Sequence, residues 1–256
     1  MLAFATYGDE EATPCVFIAG AACGRVLHAP SWMDEGHCMV SFDRPGLGDS
    51  TRDPAKSFAS VAADVRALVT SLGRRQVKII AHSQGAPFGL ACALAGIASD
   101  VTLVSPSDEV AYPPIFAQLP SGLQELVDLA QLDPDAARAI LAGFDGDAMF
   151  EMVMQSVAPS DAAVFDDPTF VARYRAALAD GFRQGAVGYV QDTLLAMRPW
   201  ALPLDQIDVP VAIWFGADDV VHSPDLGETL AQRIPGARRT VVDGVGSSLL
   251  WSTRAR

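Results

Sequence analysis

Short apolar runs alternate along the chain with stretches whose hydrophobic residues recur every three or four positions, the pattern of a sheet covered by helices. Seven runs, 2–7, 14–18, 39–42, 77–81, 101–104, 211–215 and 240–242, are rich in β-branched and aromatic residues and read as strands. Several are apolar throughout, so they are predicted to be buried on both faces of a largely parallel sheet. Between the third and fourth runs, Phe58, Val61, Ala62, Val65, Leu68, Val69 and Leu72 form one stripe of a helix that Gly73 stops. The alternation breaks after Ser107, and no buried-strand signal returns until Val209. Segments 122–130, 135–141, 170–183 and 188–197 of that interval have helical character, interrupted by Pro159, Pro168 and several glycines. The expected architecture is therefore α/β: a core from 1–108 and 207–256, with a helical cap from 109–206 inserted over one edge of the sheet.

The composition supports a folded globular chain: 256 residues, 50% hydrophobic and 19% charged. Its net charge of -13 would repel a phosphate backbone, which argues against a nucleic-acid partner. No apolar run reaches the roughly 18 residues of a membrane span, and the first residues lack the regions of a signal peptide, so no membrane partner and a cytoplasmic location are expected. Cys15, Cys23, Cys38 and Cys92 have neither the spacing of zinc sites nor that of redox sites and read as reduced core or loop thiols.

The candidate chemistry centres on Lys78-Ile79-Ile80-Ala81-His82-Ser83-Gln84-Gly85-Ala86, an apolar strand that enters a small-x-Ser-x-small turn and then a helix. Such a turn holds a serine above the sheet end with Oγ exposed, and small residues two before and two after it leave room for the tight bend. The competing reading is an ordinary strand-to-helix loop whose serine caps the helix. A second segment, Ser41-Phe42-Asp43-Arg44-Pro45-Gly46-Leu47-Gly48-Asp49-Ser50, directly follows a strand, and Asp43 and Arg44 are expected to brace it by charge-assisted hydrogen bonds.

Together these two segments resemble the α/β-hydrolase superfamily, over nearly the whole chain, and within it bacterial capped hydrolases of the proline-iminopeptidase and small-ester type. The resemblance implies Ser83 as nucleophile and, from the Gly216-Ala217-Asp218-Asp219 loop, Asp219 as the acid. Asp218 is the alternative, and a solvated carboxylate pair capping the next turn is the competing reading. It further implies an oxyanion hole from the backbone N–H groups of Ala21 and Gln84. Where the family has Gly-x-Gly-His after the last strand, this chain has Gly244-Val245-Gly246-Ser247, so Ser247 occupies the position of the missing base. A serine hydroxyl does not accept a proton near neutral pH.

Of the four histidines, His82 is expected to point away from Ser83 as a packed or cap-contacting side chain. His222 would reach Ser83 only if the acid loop refolded, and His28 and His37 belong to surface-like loops. Met149, Phe150, Met154 and Phe182, from a wider set with Phe144, Met152, Phe165 and Tyr174, are candidate walls of a substrate pocket, although core packing explains such residues equally well.

The expected function is hydrolysis of a small acyl ester or amide by a Ser-His-Asp type mechanism needing neither metal nor organic cofactor, with the chain inactive or strongly impaired because Ser247 stands where the base is missing. The alternative is a non-catalytic protein that binds a small molecule in the same pocket. Because the tail 251–256 is too short to cover a sheet face, an exposed apolar face is expected unless the cap or a second copy in a homo-oligomer fills it.

Overall fold

The computed structural model describes residues 1–33 and 35–252. Seven strands form a single sheet in the order β1-β3-β2-β4-β5-β6-β7: β1 Phe4–Tyr7, β2 Thr13–Ile18, β3 His37–Phe42, β4 Val77–Ser83, β5 Ala98–Pro106, β6 Val211–Gly216 and β7 Arg238–Val242. Only the β1–β3 pairing is antiparallel, with Phe4 opposite Phe42, and the other five are parallel. Each apolar run of the sequence is one strand. Their continuous hydrophobicity has the cause expected of parallel strands: Val16, Ile79 and Ile213 face one apolar cluster, while Phe17 and Ile80 face a second on the opposite side.

The first cluster lies under α1 (Phe58–Ser71) and α2 (Ala86–Leu94). Helix α1 starts in a reciprocal cap, in which the Ser57 hydroxyl accepts from Ser60 N–H and the Ser60 hydroxyl accepts from Ser57 N–H, each at 3.0 Å. Its stripe from Phe58 to Val69 is buried, at about 1.5–3 kcal/mol for each fully buried large side chain.

Between β5 and β6 the chain runs through α3 (Pro113–Phe116), α4 (Ser121–Leu132), α5 (Pro134–Leu141), α6 (Gly146–Gln155), α7 (Ala162–Phe165), α8 (Pro168–Gly181) and α9 (Val187–Ala196), and a last helix, α10 (Glu228–Arg233), precedes β7. The helical insertion contributes Met149, Phe165, Tyr174, Tyr189 and Leu194 to the second cluster. Its fastening to the core is ionic as well as apolar. Arg44, buried on the loop after β3, donates from Nε to Asp192 of α9 at 2.8 Å, and Lys56 pairs with the same carboxylate.

Both faces of the central strands are buried among the described residues, and the exposed large apolar side chains on the sheet are Phe4 and Val241, on its two edge strands. The uncovered face expected beside the short tail is not seen there, because the loop after β7 folds back, burying Val245, Leu249 and Leu250 in the second cluster. Residues 253–256 of that tail lie outside the described residues. No helix among the described residues is long and apolar enough to cross a membrane. Cys15, Cys23, Cys38 and Cys92 are buried, and none of them forms a disulfide among the described residues.

Candidate active site

Ser83 ends the central strand β4, at the carboxyl edge of the sheet where open α/β folds bind their ligands. Its φ of +50° is a conformation that side-chain-bearing residues seldom adopt and that costs on the order of 1–3 kcal/mol. The turn closes through Gly85 N–H donating to His82 C=O at 2.8 Å. A β-carbon on Gly85 would lie 2.3 Å from the Ile18 carbonyl oxygen, which is why the position two after the serine must be small. Gln84 anchors the turn to the insertion, its side-chain amide donating to Thr193 of α9 at 3.0 Å.

The serine opens onto a cavity of about 250 Å³. From the core it is lined by Gly20, Ala21 and Cys23 of the loop after β2, by His82 and Ser83 of β4, by Ser107, and by Val221, His222, Ser247 and Trp251. The insertion lines it with Met149, Met152 and Val153 of α6, Ser156 just after that helix, and Phe165 and Tyr174. Arg44 holds the Gly20–Ala21 side in place, donating to the carbonyl of Gly20 at 2.9 Å and to that of Ala19. Asp43 is buried and bound by Arg25 and by the Asp49 N–H at 3.0 Å, so both residues brace loops as their chemistry suggests.

Asp219, on the loop after β6, is buried and accepts from the backbone N–H groups of Val221 at 3.0 Å and His222 at 3.2 Å. The same carboxylate receives an imidazole: His222 Nδ1 lies 2.9 Å from Oδ2 and 3.1 Å from Oδ1. Burial raises the Asp219 carboxyl, but the His222 charge and hydrogen bond and the Val221 N–H together bring it down to about 2. His222 therefore reaches the cavity that holds Ser83 from within the acid loop itself, through a three-residue turn. Asp219, at the head of that turn, folds the imidazole back onto its own carboxylate, so the ring lines the cavity with the acid loop as it stands.

Ser247 lines the same cavity, but its hydroxyl is directed to a carboxylate of the insertion, donating to Asp161 Oδ2 at 3.3 Å. Asp161 is buried and also accepts from Gly246 N–H at 2.8 Å and from the Ser248 hydroxyl at 2.6 Å. The loop after β7 is thus tied to the insertion by a carboxylate that the sequence reading did not single out.

His82 is buried and its ring lines the cavity, 4.9 Å from the Trp251 ring and 5.7 Å from that of His222. Neither ring nitrogen has a hydrogen-bond partner, and burial, with the His222 charge adding to it, pushes the imidazole down to about 3. His28 stacks on Tyr7 at 3.8 Å.

Of the expected pocket walls, Met149 lines the cavity, whereas Phe150, Met154 and Phe182 do not. Helix period is the reason: 149, 152, 153 and 156 share the face of α6 turned to the cavity, which leaves Phe150 and Met154 on another face, around a shallow surface dimple with Arg175. Phe182 packs on Tyr189 at 5.6 Å. The missed walls Val153 and Ser156 were within reach of the sequence, because Asp145 caps α6 by accepting from Ala148 N–H at 2.8 Å, a helix-start signal. Trp251 and Val221 carried no such signal.

A family profile described as alpha/beta hydrolase fold matches residues 28–252. The chain belongs to this family. A curated relative of the hydrolase, named "Putative non-heme bromoperoxidase BpoC" from Mycobacterium tuberculosis, is 26% identical over 272 aligned positions, covering 93% of this chain and 88% of the relative. Among solved structures, the enol-lactonase from Burkholderia xenovorans LB400 superposes with a TM-score of 0.67 at 20% identity, covering 97% of this chain and 90% of that one. An esterase from Thermogutta terrifontis gives 0.67 at 18% identity, covering 97% and 87%. At these identities the structural likeness speaks for the fold. Among the described residues, no group of three or more His, Cys, Asp or Glu side chains is arranged to hold a metal ion.

Proposed function

We propose that the chain is a serine hydrolase of small, substantially apolar acyl compounds, an ester or lactone ahead of an amide, with Ser83 as the nucleophile. The observation that carries this reading is the strained Ser83 at the end of β4, opening onto a cavity whose walls are largely apolar. At about 250 Å³ the cavity is at the small end for ligand sites, which suits a short acyl group. In the proposed reaction Ser83 Oγ adds to the acyl carbon, and the oxyanion takes hydrogen bonds from the backbone N–H groups of Ala21 and Gln84. The alcohol then leaves, and water releases the acid from the acyl-enzyme. The insertion acts as a cap that keeps bulk water from the acyl group, and Met149, Met152 and Val153 provide its apolar contact. No metal or organic cofactor enters these steps. The lactonase and esterase among the structural neighbours are consistent with this substrate class.

The test is hydrolysis of p-nitrophenyl acetate, butyrate, octanoate and palmitate by the chain and by Ser83→Ala. Turnover that favours the short esters and disappears in Ser83→Ala is the expected result. A second reading, a protein that binds a small molecule without turning it over, draws on Ser247 standing where the family has its base. It predicts saturable ligand binding with no hydrolysis by the parent chain and unchanged binding in Ser83→Ala.

A further inference from the structure

Ser247 supplies no base, so a hydrolase built on this cavity needs an imidazole from elsewhere in its wall. His82 and His222 are the two histidines that line it. They differ in what their nitrogens meet. His82 has no hydrogen bond to a carboxylate, and its burial disfavours the protonated ring, so a proton from serine would be poorly accommodated there. His222 has Asp219 on Nδ1. An ionised carboxylate only accepts hydrogen bonds, so Nδ1 must carry the hydrogen and the lone pair is on Nε2. The ring therefore has a fixed tautomer, a buried anion to stabilise its protonated form, and one nitrogen free to take a proton.

The backbone also ties the segment that carries His222 to the serine turn. Ser107 N–H donates to the Ser83 carbonyl at 3.0 Å, and the next residue, Asp108, donates from N–H to the His222 carbonyl at 3.2 Å. Two consecutive amides of the segment after β5 thus bridge the serine turn to the acid loop.

Resting on the serine-hydrolase reading above, we infer that His222 is the general base of this site, so that acid and base come from a single turn, Asp219 to His222, instead of from two loops. As Ser83 Oγ forms its bond to the acyl carbon, its proton passes to His222 Nε2, and Asp219 stabilises the imidazolium. The same proton goes to the departing alkoxide as the ester C–O bond breaks. In the second half His222 takes a proton from water as it attacks the acyl-enzyme, and returns it to Ser83 Oγ as the acid leaves. Ser247 and Ser248, freed from base duty, tether the last loop to Asp161.

The experiment compares the parent chain, Ser83→Ala, His222→Ala and Ser247→His for hydrolysis of p-nitrophenyl acetate and for covalent labelling by a fluorophosphonate, with and without added imidazole. His222→Ala is expected to slow both reactions about a hundredfold or more, the usual worth of a positioned base. Added imidazole should restore part of the rate in proportion to its concentration, with no effect on Ser83→Ala. Rescue is the safeguard against misfolding, since free imidazole cannot restore an unfolded chain, and a His222→Ala protein that imidazole does not rescue overturns the inference. So does a His222→Ala rate within about threefold of the parent while Ser83→Ala abolishes it, although the hydrolase reading then stands. A parent chain that neither hydrolyses nor labels, beside an active Ser247→His, also overturns it. Inactivity of both the parent and Ser247→His sinks the hydrolase reading itself.

Discussion

Asp108 and Asp219 sit on neighbouring loops at the carboxyl edge of the sheet, both buried, and hold their protons in opposite ways. Burial raises Asp108 to about 6, against which hydrogen bonds from the Ser223 hydroxyl at 2.9 Å and the Glu109 N–H at 2.8 Å work only partly. Its folded value lies above its unfolded one, so between roughly pH 4 and 6 the folded state binds the extra proton and stability falls as pH rises. Asp108→Asn removes that penalty and keeps both contacts, since an amide accepts from Glu109 N–H and donates to Ser223 Oγ. It should stabilise the protein at pH 7.5 by about 1–3 kcal/mol in urea denaturation, with the gain gone at pH 4. A gain equal at both pH values would exclude the buried charge as its source. Asp219 runs the other way: its folded value of about 2 lies below the unfolded one, so its contribution is complete above about pH 4 and is lost as pH falls through 2. Asp219→Asn should therefore cost about 2 kcal/mol at pH 7, and parent and variant should converge in stability towards pH 2.

At the scale of elements, the insertion reaches the serine cavity through close backbone contacts. The end of α8 packs so tightly on the loop after β2 that a β-carbon on Gly181 would lie 1.8 Å from the Ala22 carbonyl oxygen, next to Ala21 of the proposed oxyanion hole. Gly24 N–H donates to Ala177 of the same helix at 2.9 Å. Gly181→Ala must push the loop or the helix aside, which should cost about 1–3 kcal/mol and lower kcat for ester hydrolysis more than it raises KM. A variant with lowered melting temperature but unchanged kcat would show that the loop does not set the oxyanion donors. These contacts also mark where sequence reading ran out. All seven strands and the α1 stripe were legible, because burial on two faces or one leaves a period in the residues themselves. The elbow was legible because a bend at φ +50° restricts its neighbours to small residues. Phe150 and Met154 were misplaced because hydrophobicity was read without the phase of α6, and the place of His222 in the cavity wall was not legible because it depends on how Asp219 closes a three-residue turn. Asp161 left no local trace, since its partners Gly246 and Ser248 lie more than 80 residues further along.

Across the whole molecule the insertion forms a layer over the sheet face opposite α1 and α2, with the cavity between sheet and insertion, and a buried ion cluster crosses that boundary next to the site. Arg44 and Lys56 converge on Asp192, all three with side chains 0–1% exposed. Arg44 continues to the carbonyls of Ala19 and Gly20, and Lys56 donates to the carbonyl of Pro45 at 2.8 Å. Burial pulls Lys56 below the usual lysine range, with Asp192 resisting. Two cations share one anion here, so the carboxylate does more than either cation to keep the cluster tolerable. Asp192→Asn would leave Arg44 and Lys56 facing each other without compensation in a dry interior, a loss expected to exceed about 3–5 kcal/mol. Replacing Lys56 by Met in the same chain removes one of the stranded charges. The double variant Asp192→Asn/Lys56→Met should therefore be more stable than Asp192→Asn alone, a reversal that packing loss by itself would not produce. Denaturant midpoints of parent, single and double variants measure it. If the two substitutions simply add, the cluster is held by shape and hydrogen bonding, and the charge balance across the two layers contributes nothing of its own.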